Sequence, residues 1–485
     1  MISVVSVFAR SVTGAVGLRS ERGPVLLSVM LATGLVAIDS TILATAVPSV
    51  VKDLGGFSQF PWLFSIYLLA QAVSVPLYGK FADIFGRKPM MLLGISIFLV
   101  SSVLCGAAWS MLSLIVFRAL QGLGAGAVLP IGQTIVADIY NLAERAKVIG
   151  YIASVWAISA VVGPTLGGVF ADYLSWRWIF FVNIPIAILA MGMLQRGFSE
   201  KFKRTIHKID YAGAVLLAAG GSLLILGLLA GGVDWAWDSP ASVVVLTGAV
   251  VLLVSFGLVE RRAKEAILPL WVFRRRVLVG SNAVALCVGV LLIGLTSYVP
   301  LYAQNVLGTN ALIAGFAVAA LTLGWPVAAT LSGRVYLRYG FRNTSLLGST
   351  FAVAGSIVLI AVSPSSSVLQ LAIGCCVMGV GLGFISAPAL VAAQTSADWQ
   401  TRGVVTGANM FARSIGSAVG VAVFGAIVNA SVSGDPKHLP GDVLANAIHG
   451  VYVGTGVVAL AVIIAIMVMP GGVPSEPEPA ASAAS

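Results

Sequence analysis

Charged residues are scarce in this chain of 485 residues: Asp, Glu, Lys and Arg make up 9% of it, whereas apolar residues make up 59%. Soluble globular domains have about 25% charged residues, so the composition excludes a soluble fold. The chain has no Gly-Lys-Ser/Thr phosphate-binding loop, which argues against ATP as an energy source, and no serine nucleophile elbow. The sequence therefore predicts a membrane protein that is not an enzyme.

Cysteine and histidine are also sparse, with four Cys and three His in the whole chain. The cysteines all fall in apolar runs, where they serve as small packing residues and not as a disulfide framework. The histidines are scattered and lack the spacing of metal ligands. We therefore expect no metal site and no cofactor.

Apolar runs of about 20 residues recur along the chain, and each is long enough to cross a bilayer as a helix. The predicted fold class is accordingly an all-α polytopic membrane protein. The fourteen predicted segments are 24–50, 61–80, 90–108, 111–135, 146–171, 178–195, 210–231, 241–259, 277–302, 310–332, 343–362, 367–391, 403–430 and 447–469. Residues 1–23 precede them, and the Pro- and Ser-rich tail 470–485 is predicted to be disordered.

The net charge of +10 is distributed unevenly between the two sides of the predicted bundle. Only Lys52, Arg177 and Lys437 fall on one side, while Arg118 and Arg413 lie within helices. All other cations fall on the opposite side, which the positive-inside rule makes cytoplasmic, together with both termini. This explains the charge without a nucleic-acid partner. With Arg outnumbering Lys, we expect a bacterial protein of the inner (plasma) membrane, monomeric in the lipid bilayer.

An internal repeat divides the chain. A shift of 257 residues places Gly122, Gly124 and Gly126 on Gly379, Gly381 and Gly383, and a shift of 254 places Gly79 and Gly86 on Gly333 and Gly340. The repeat predicts two parallel six-helix halves, 24–195 and 277–469, with a two-helix hairpin at 210–259 inserted between them. Composition alone also makes Gly-rich membrane helices resemble one another. Asp39, Asp83 and Arg118 have no counterpart in the second half.

Asp39 lies near the middle of the first apolar run. At 1.5 Å per residue it is roughly 15–20 Å from either end of a spanning helix. A carboxylate at that depth must be paired, hydrated or protonated. Two interpretations remain open: Asp39 is a proton-coupling acid, or it is a permanently protonated hydrogen-bond donor that holds helix 1 to its neighbours.

Helix 4 carries Arg118, Gln121 and the three glycines of the repeat. A guanidinium within a span stays charged, so it must face an acid, backbone carbonyls or water, unless it snorkels to the interface. Gln121 shares its helix face one turn further on. The glycines allow another helix to approach closely.

Between helices 2 and 3 the chain reads Gly79-Lys80-Phe81-Ala82-Asp83-Ile84-Phe85-Gly86-Arg87-Lys88-Pro89. Gly79 allows close helix packing and Gly86 allows a tight turn. Asp83, amid three cations, can pair with one of them or cap the N-terminus of a helix elsewhere. The alternative is a basic loop that only sets topology.

Helix 5 contains Gly163, Pro164, Gly167 and Gly168. The proline breaks the backbone hydrogen-bond ladder, and the glycines let the kinked helix press against its neighbours. A Gly-Pro kink on its own is common in membrane helices. Its functional interpretation therefore depends on the other motifs.

Together these motifs resemble the major facilitator superfamily, and within it the fourteen-helix drug:proton antiporter family. The loop 79–89 is similar to the superfamily's signature loop, the Arg118 segment to its helix 4 motif, and 163–168 to the antiporter motif of its drug exporters. The stretches 39–48 and 176–185 are typical of the fourteen-helix branch. The resemblance covers helices 1–6 closely and the remainder by topology.

The resemblance implies two six-helix halves plus an inserted hairpin, and a proton-coupled secondary active exporter of amphipathic compounds, cations among them. Its partners would be a small-molecule substrate and protons. Proton coupling would rest on Asp39 and Arg118. A conformational latch would consist of Gly79, Asp83, Gly86, Arg87 and Asp138, closing near Arg402. Export of an endogenous lipid, peptide or siderophore on the same fold is the alternative.

One feature departs from the family pattern, because no acid is present between Ala311 and Ser332 in helix 10, where some members carry one for dicationic substrates. The substrate-cavity candidates are polar or aromatic residues expected to lie deep in the bundle. They are Gln121, Trp156, Tyr298, Tyr302, Trp325 and Phe411. Core packing is the alternative for each aromatic residue.

Overall fold

The computed structural model describes Gly17 and residues 20–56, 59–60, 62–200, 210–232, 235–263, 266–431 and 441–471. Fourteen helices in this part of the chain are long and apolar enough to cross a membrane, which confirms the predicted number. Most of the N-terminal stretch 1–23 and of the tail 470–485 lies outside the described residues.

The helices are numbered α1 to α14 in chain order. They are α1 (Gly23–Leu54), α2 (Trp62–Phe85), α3 (Arg87–Gly106), α4 (Met111–Ile139), α5 (Leu142–Tyr173), α6 (Asn183–Gly197), α7 (Tyr211–Ala230), α8 (Pro240–Glu260), α9 (Arg276–Asn305), α10 (Ala311–Tyr339), α11 (Phe341–Ile360), α12 (Val368–Thr395), α13 (Arg402–Ser431) and α14 (Gly441–Val468). A helical turn, Trp178–Phe181, precedes α6, and short 3₁₀ turns at Leu270–Phe273 and Trp399–Thr401 precede α9 and α13.

Side-chain caps explain where two of the helices begin. The Ser110 hydroxyl accepts a hydrogen bond from the Ser113 N–H at 3.2 Å, and the Ser113 hydroxyl accepts one from the Ser110 N–H at 3.1 Å. This reciprocal cap separates α4 from α3 at the predicted break. Asn141 and Glu144 form the same arrangement at the start of α5.

Glycine fixes the two tightest turns of the bundle. Gly86 has a φ of 97° and Gly340 a φ of 84°, a region that favours glycine, and each immediately precedes the next helix. The internal repeat superposes these two residues. The turns between α2 and α3 and between α10 and α11 therefore have the same construction.

The packing of the helices follows the repeat. In the first half α1 packs on α5 and α6, and α4 packs on α2 and α3; in the second half α9 packs on α13 and α14, and α12 on α10 and α11. The two halves meet where α2 contacts α13 and where α5 contacts α10. The inserted helices α7 and α8 pack on each other, and α7 also contacts α2 and α13.

The apolar cores of the two halves differ. The second half contains a large buried cluster that includes Tyr302, Cys375 and Leu444, and a smaller one around Phe424. The first half contains two clusters, one around Val36 and one around Ile42. A layer of buried polar side chains lies between those two clusters.

The end of the bundle where α2 ends and where α3 and α13 begin is called the latch end below.

Close contact between α9 and α13 depends on glycine, which yields a first prediction. A Cβ added at Gly416 of α13 would overlap the backbone carbonyl of Leu286 on α9, whereas one added at Gly425 would have no atom within 4 Å. We expect Gly416→Ala to lower the melting temperature in detergent, because separating the helices costs about 1–3 kcal/mol. Gly425→Ala should leave it unchanged or raise it slightly, since alanine is the better helix former. Equal melting temperatures for the two variants would contradict this packing argument.

Candidate functional site

Asp39 and Arg118 form a buried ion pair in the polar layer of the first half. Each residue is 1% exposed. Arg118 Nη1 donates to Asp39 Oδ2 at 2.6 Å, and Gln121 Nε2 donates to Asp39 Oδ1 at 2.9 Å. Arg118 Nη1 also donates to Gln121 Oε1 at 2.7 Å, which orients the amide. Arg118 thus faces an acid inside the protein and does not snorkel to an interface.

The second helix completes the surroundings of Arg118. Arg118 Nε donates to the Leu63 carbonyl at 3.2 Å, and the guanidinium carbon lies 4.2 Å from the centre of the Tyr67 ring. A buried charge is tolerated only when its donors are paired, and an aromatic face adds a favourable electrostatic contact. The pair therefore joins α1, α2 and α4.

The hydrogen-bond network continues to α3 and α6 through residues that the sequence analysis did not identify. Gln121 Nε2 donates to Ser102 Oγ at 3.2 Å, and Asn183 Nδ2 donates to the same oxygen at 3.0 Å. Ser102 in turn donates to the Phe180 carbonyl at 3.0 Å. Asn183 stands within the 176–185 stretch that the resemblance had singled out, and this was the available signal.

Gln121 was predicted to line a substrate cavity, but its side chain is completely buried and its amide is engaged on both sides. The reason is its position one turn from Arg118, which directs it into the same gap between α1 and α3. In this conformation Gln121 belongs to the ion-pair network and not to a cavity wall.

In this arrangement Asp39 acts as an acceptor through both oxygens, and both of its partners are donors. That geometry suits an ionised carboxylate rather than a protonated one, which would donate. Removing either member of such a buried pair costs about 3–5 kcal/mol.

A second acid of α1 provides a contrast. Asp53, near the far end of the helix, is half exposed and accepts a hydrogen bond from Arg177 Nη1 at 2.6 Å. The Arg177 guanidinium, together with the Trp176 indole N–H, lowers the pKa of Asp53 below its usual value of 3.8. Asp53 therefore stays ionised at physiological pH and is unsuited to carrying protons there.

Asp83 connects the two halves at the latch end. Its Oδ1 accepts from the Gly403 N–H at 3.0 Å and its Oδ2 from the Val404 N–H at 2.8 Å. These are free N–H groups of the first turn of α13, where the helix dipole favours a negative charge. Arg87 Nη2 also donates to Oδ1, at 2.9 Å. The loop 79–89 is thus engaged across the interface, beyond any role in topology.

Arg87 joins the same network and is fully buried. Its Nε donates to Asp138 Oδ2 at 3.0 Å, and Arg402 Nη1 donates to the other oxygen of Asp138 at 2.5 Å. Arg87 also donates to the Trp399 carbonyl, and its guanidinium carbon lies 3.8 Å from the centre of the Trp399 ring. Asp138 therefore pairs with cations from both halves.

Glu200, which the sequence did not reveal, binds the backbone at the start of α3, where Arg87 lies. It follows α6, and its carboxylate accepts from the Arg87 N–H at 3.1 Å and the Lys88 N–H at 3.2 Å. Lys88 Nζ donates to the Gln195 carbonyl at 2.8 Å, close to the C-terminus of α6. The end of α6 and the start of α3 thus satisfy each other's free backbone groups.

Gly79 allows α2 and α13 to approach closely, because a Cβ at this position would lie 3.3 Å from the Cα of Gly407 and would collide with the Gly403 carbonyl. The structure therefore gathers the predicted latch residues Gly79, Asp83, Gly86, Arg87 and Asp138 at one end of the bundle. Arg402 pairs with Asp138 there, and the structure adds Glu200 and Trp399 to the group.

Only part of the predicted antiporter motif on α5 contacts another helix. Cβ atoms at Gly163 and Gly167 would collide with Thr41 and Thr45 of α1, respectively, whereas Gly168 has open space around it. Helix α5 continues through Pro164 to Tyr173, so the proline does not end the helix. These contacts lie at Thr41 and Thr45, on the C-terminal side of Asp39 in α1.

The aromatic cavity candidates are not brought together. Tyr302 is 1% exposed and its ring centre lies 5.8 Å from that of Tyr452, inside the core of the second half. Tyr298 packs edge-on against Phe424 with ring centres 6.3 Å apart. The faces of α9 that carry these tyrosines point at α13 and α14, so packing is their role in this conformation.

The remaining three aromatic candidates lie in different surroundings. Phe411 is buried in an apolar cluster shared with Val73 of α2 and Leu217 of the inserted helix α7. Trp325 is partly buried against the second-half core, and Trp156 on α5 is 37% exposed. These positions do not define a single substrate site.

Comparisons with known proteins agree with the fold. A family model described as Major Facilitator Superfamily matches residues 29–421. Multidrug resistance protein 3 of Bacillus subtilis is 34% identical over 403 residues, which are 83% of this chain and 79% of that protein. Multidrug transporter protein MdtP of the same organism is 32% identical over 414 residues, 85% of this chain and 76% of its own length.

Among solved structures, the human organic anion transporter MFSD10 matches with a TM-score of 0.65 at 16% identity, covering 92% of this chain and 99% of the other. That likeness shows a shared fold. Membership of the family rests on two other findings: the match to the family model, and the sequence identity to the bacterial relatives over most of both chains. The chain belongs to the Major Facilitator Superfamily and is a multi-pass membrane transporter.

Proposed function

We propose that this protein is a proton-coupled exporter, a drug:proton antiporter of amphipathic compounds that include cations. Two bacterial relatives are multidrug transporters by name and a fungal relative, dotC of Dothistroma septosporum, is named an efflux pump, which supports export of small molecules. The observation that carries the proton-coupling part is the buried Asp39–Arg118 pair. It is the kind of intramembrane charge pair that is costly to maintain without a function.

The coupling follows from electrostatics. With Asp39 ionised, the pair is neutral and the first-half helices are held together around it. A proton arriving from the more acidic side neutralises Asp39 and releases Arg118, so the helices rearrange. A cationic substrate competes with that proton for the same carboxylate. Binding of one therefore favours loss of the other, which produces exchange without a separate gate.

The latch residues stabilise one of the two conformations that alternating transport requires. In our proposal the latch end is cytoplasmic, because it carries most of the loop cations. The contacts of Asp83 with α13 and of Asp138 with Arg402 then favour the conformation that is closed to the cytoplasm. Opening to the cytoplasm would require all of them to break together, so the two halves would move as units.

The coupling role predicts a specific loss in Asp39→Asn. Purified protein in liposomes should no longer accumulate a fluorescent cationic dye against its gradient when only a pH gradient drives it, while downhill dye exchange persists. Asparagine leaves the Arg118 charge unpaired, so folding must be controlled. The double variant Asp39→Asn/Arg118→Gln removes both charges and should recover stability without recovering uphill transport.

Asp53→Asn is the matched control, since it removes a carboxylate of the same helix from an exposed ion pair. It should retain gradient-driven transport. Full uphill transport by a stable Asp39→Asn protein would contradict the proposal that Asp39 is the coupling acid.

The latch role predicts that Asp83→Asn folds but populates the closed state less. A charge-assisted contact of about 1–3 kcal/mol shifts a two-state equilibrium by roughly 5- to 150-fold. Spin labels at the exposed residues Ala143 and Asn343, in a background without the natural cysteines, report the gap between the halves. The distance distribution should move to longer values in Asp83→Asn. Asp398→Asn, an exposed acid beside α13, should leave it unchanged, and an unaltered distribution in both variants would refute the latch.

The proposed orientation is checked with two cysteines that flank α11. Asn343 lies at the latch end and Ser365 in the loop at the other end of that helix, and both are exposed. An impermeant thiol reagent should label a cysteine at Ser365 in intact cells, and one at Asn343 only after permeabilisation. The reverse pattern would show that the latch end faces outward.

A further inference from the structure

A polar cavity of about 760 Å³ lies at the latch end, away from the ion pair. Its walls come from three parts of the fold: Lys80 from α2, Arg261 from the end of α8, and Trp271 and Arg274 from the segment before α9. The first half, the inserted hairpin and the second half therefore all contribute to it. Its volume is in the range of pockets that hold small ligands.

Two of the cations that line this cavity have side chains available to bind a ligand. The guanidinium groups of Arg261 and Arg274 are exposed and form no hydrogen bond or ion pair with any other residue that the structure describes. Neighbouring Arg275 differs, because it donates to the Ser396 carbonyl at 3.1 Å and lies over the Trp271 ring. Two free guanidinium forks facing one cavity match the oxygens of a phosphate group.

Glu260, the one acid among the described residues that line the cavity, does not cancel this charge. Glu260 is 4% exposed, and its Oε1 accepts a hydrogen bond from the Leu268 N–H at 2.6 Å. That contact folds the segment after α8 back onto the helix end and shapes the cavity. The lining thus retains an excess of positive charge on its open side.

The surroundings favour a ligand with an apolar tail. Only 17% of the apolar stretch of α8 is buried, the lowest share among the fourteen spanning helices of the described chain. Val254 and Leu258 expose their side chains on the last two turns of α8, directly below Arg261. Leu270 and Pro269 add apolar surface to the cavity itself. An acyl chain can lie along α8 while its headgroup occupies the cavity.

We propose that this cavity binds the phosphate headgroup of an anionic phospholipid, with the acyl chains along the exposed face of α8. Basic pockets between helices at a membrane surface bind such headgroups. None of the residues that line the cavity belongs to the Asp39–Arg118 network, so this proposal holds or fails independently of the proton-coupling proposal.

Native mass spectrometry of the purified full chain tests the site by titration with phosphatidylglycerol, with phosphatidylcholine as the neutral comparison. Phosphatidylglycerol should bind more tightly than phosphatidylcholine. The double variant Arg261→Gln/Arg274→Gln should weaken phosphatidylglycerol binding about 30-fold, from about fivefold for each cation. The control Arg334→Gln/Arg338→Gln removes the same charge from exposed arginines of α10 at the same end and should change binding less than about twofold.

Three results would overturn the proposal: equal affinity for the two lipids, an equal loss in the control variant, or displacement of phosphatidylglycerol by millimolar inorganic phosphate. The last would identify the ligand as a soluble anion. If the double variant does not elute as a single species, the Arg274→Gln variant alone decides, with an expected loss of about fivefold.

Discussion

The buried ion pair between Asp39 and Arg118 is the constraint on which the organisation of the first half depends. An arginine at this depth needs its donors satisfied, and the chain provides Asp39, Gln121 and the Leu63 carbonyl from three helices. Because the pair costs solvation free energy, its partners must be held in fixed positions. The close contact of Gly163 on α5 with Thr41 lies two residues along α1 from Asp39.

The pair also explains why the two halves differ despite a shared helix arrangement. The repeat places Cys375 where the first half has Arg118, and Cys375 is a fully buried member of one continuous apolar cluster. Among its described residues the second half has no counterpart of this pair, and its own intrahelical cation, Arg413 on α13, is partly buried. The asymmetry is already visible in the sequence as unmatched Asp39, Asp83 and Arg118.

The sequence predicted the number and order of the helices and that Asp39 and Arg118, as charges in apolar runs, need polar partners, while the grouping of Asp83 with Arg87 was implied by the family resemblance. It did not reveal Glu200 or Trp399, since an acid after a helix and a tryptophan near an interface have many ordinary roles. The sequence also did not predict that Tyr302 and Phe411 lie in apolar clusters. Whether an aromatic side chain faces a cavity or a neighbouring helix depends on helix rotation, which a uniformly apolar sequence does not encode.

The interface contacts differ in kind between the two crossings. At α2–α13, Asp83 accepts from backbone N–H groups of α13, and these donors are free only because they belong to the first helical turn. At α5–α10 the repeat has Leu337 in place of an acid, and the first turn of α5 is capped within its own half by Asn141 and Glu144. Charge thus secures one crossing and packing the other. A change in the charge of Asp83 or its partners would therefore act first at the α2–α13 crossing.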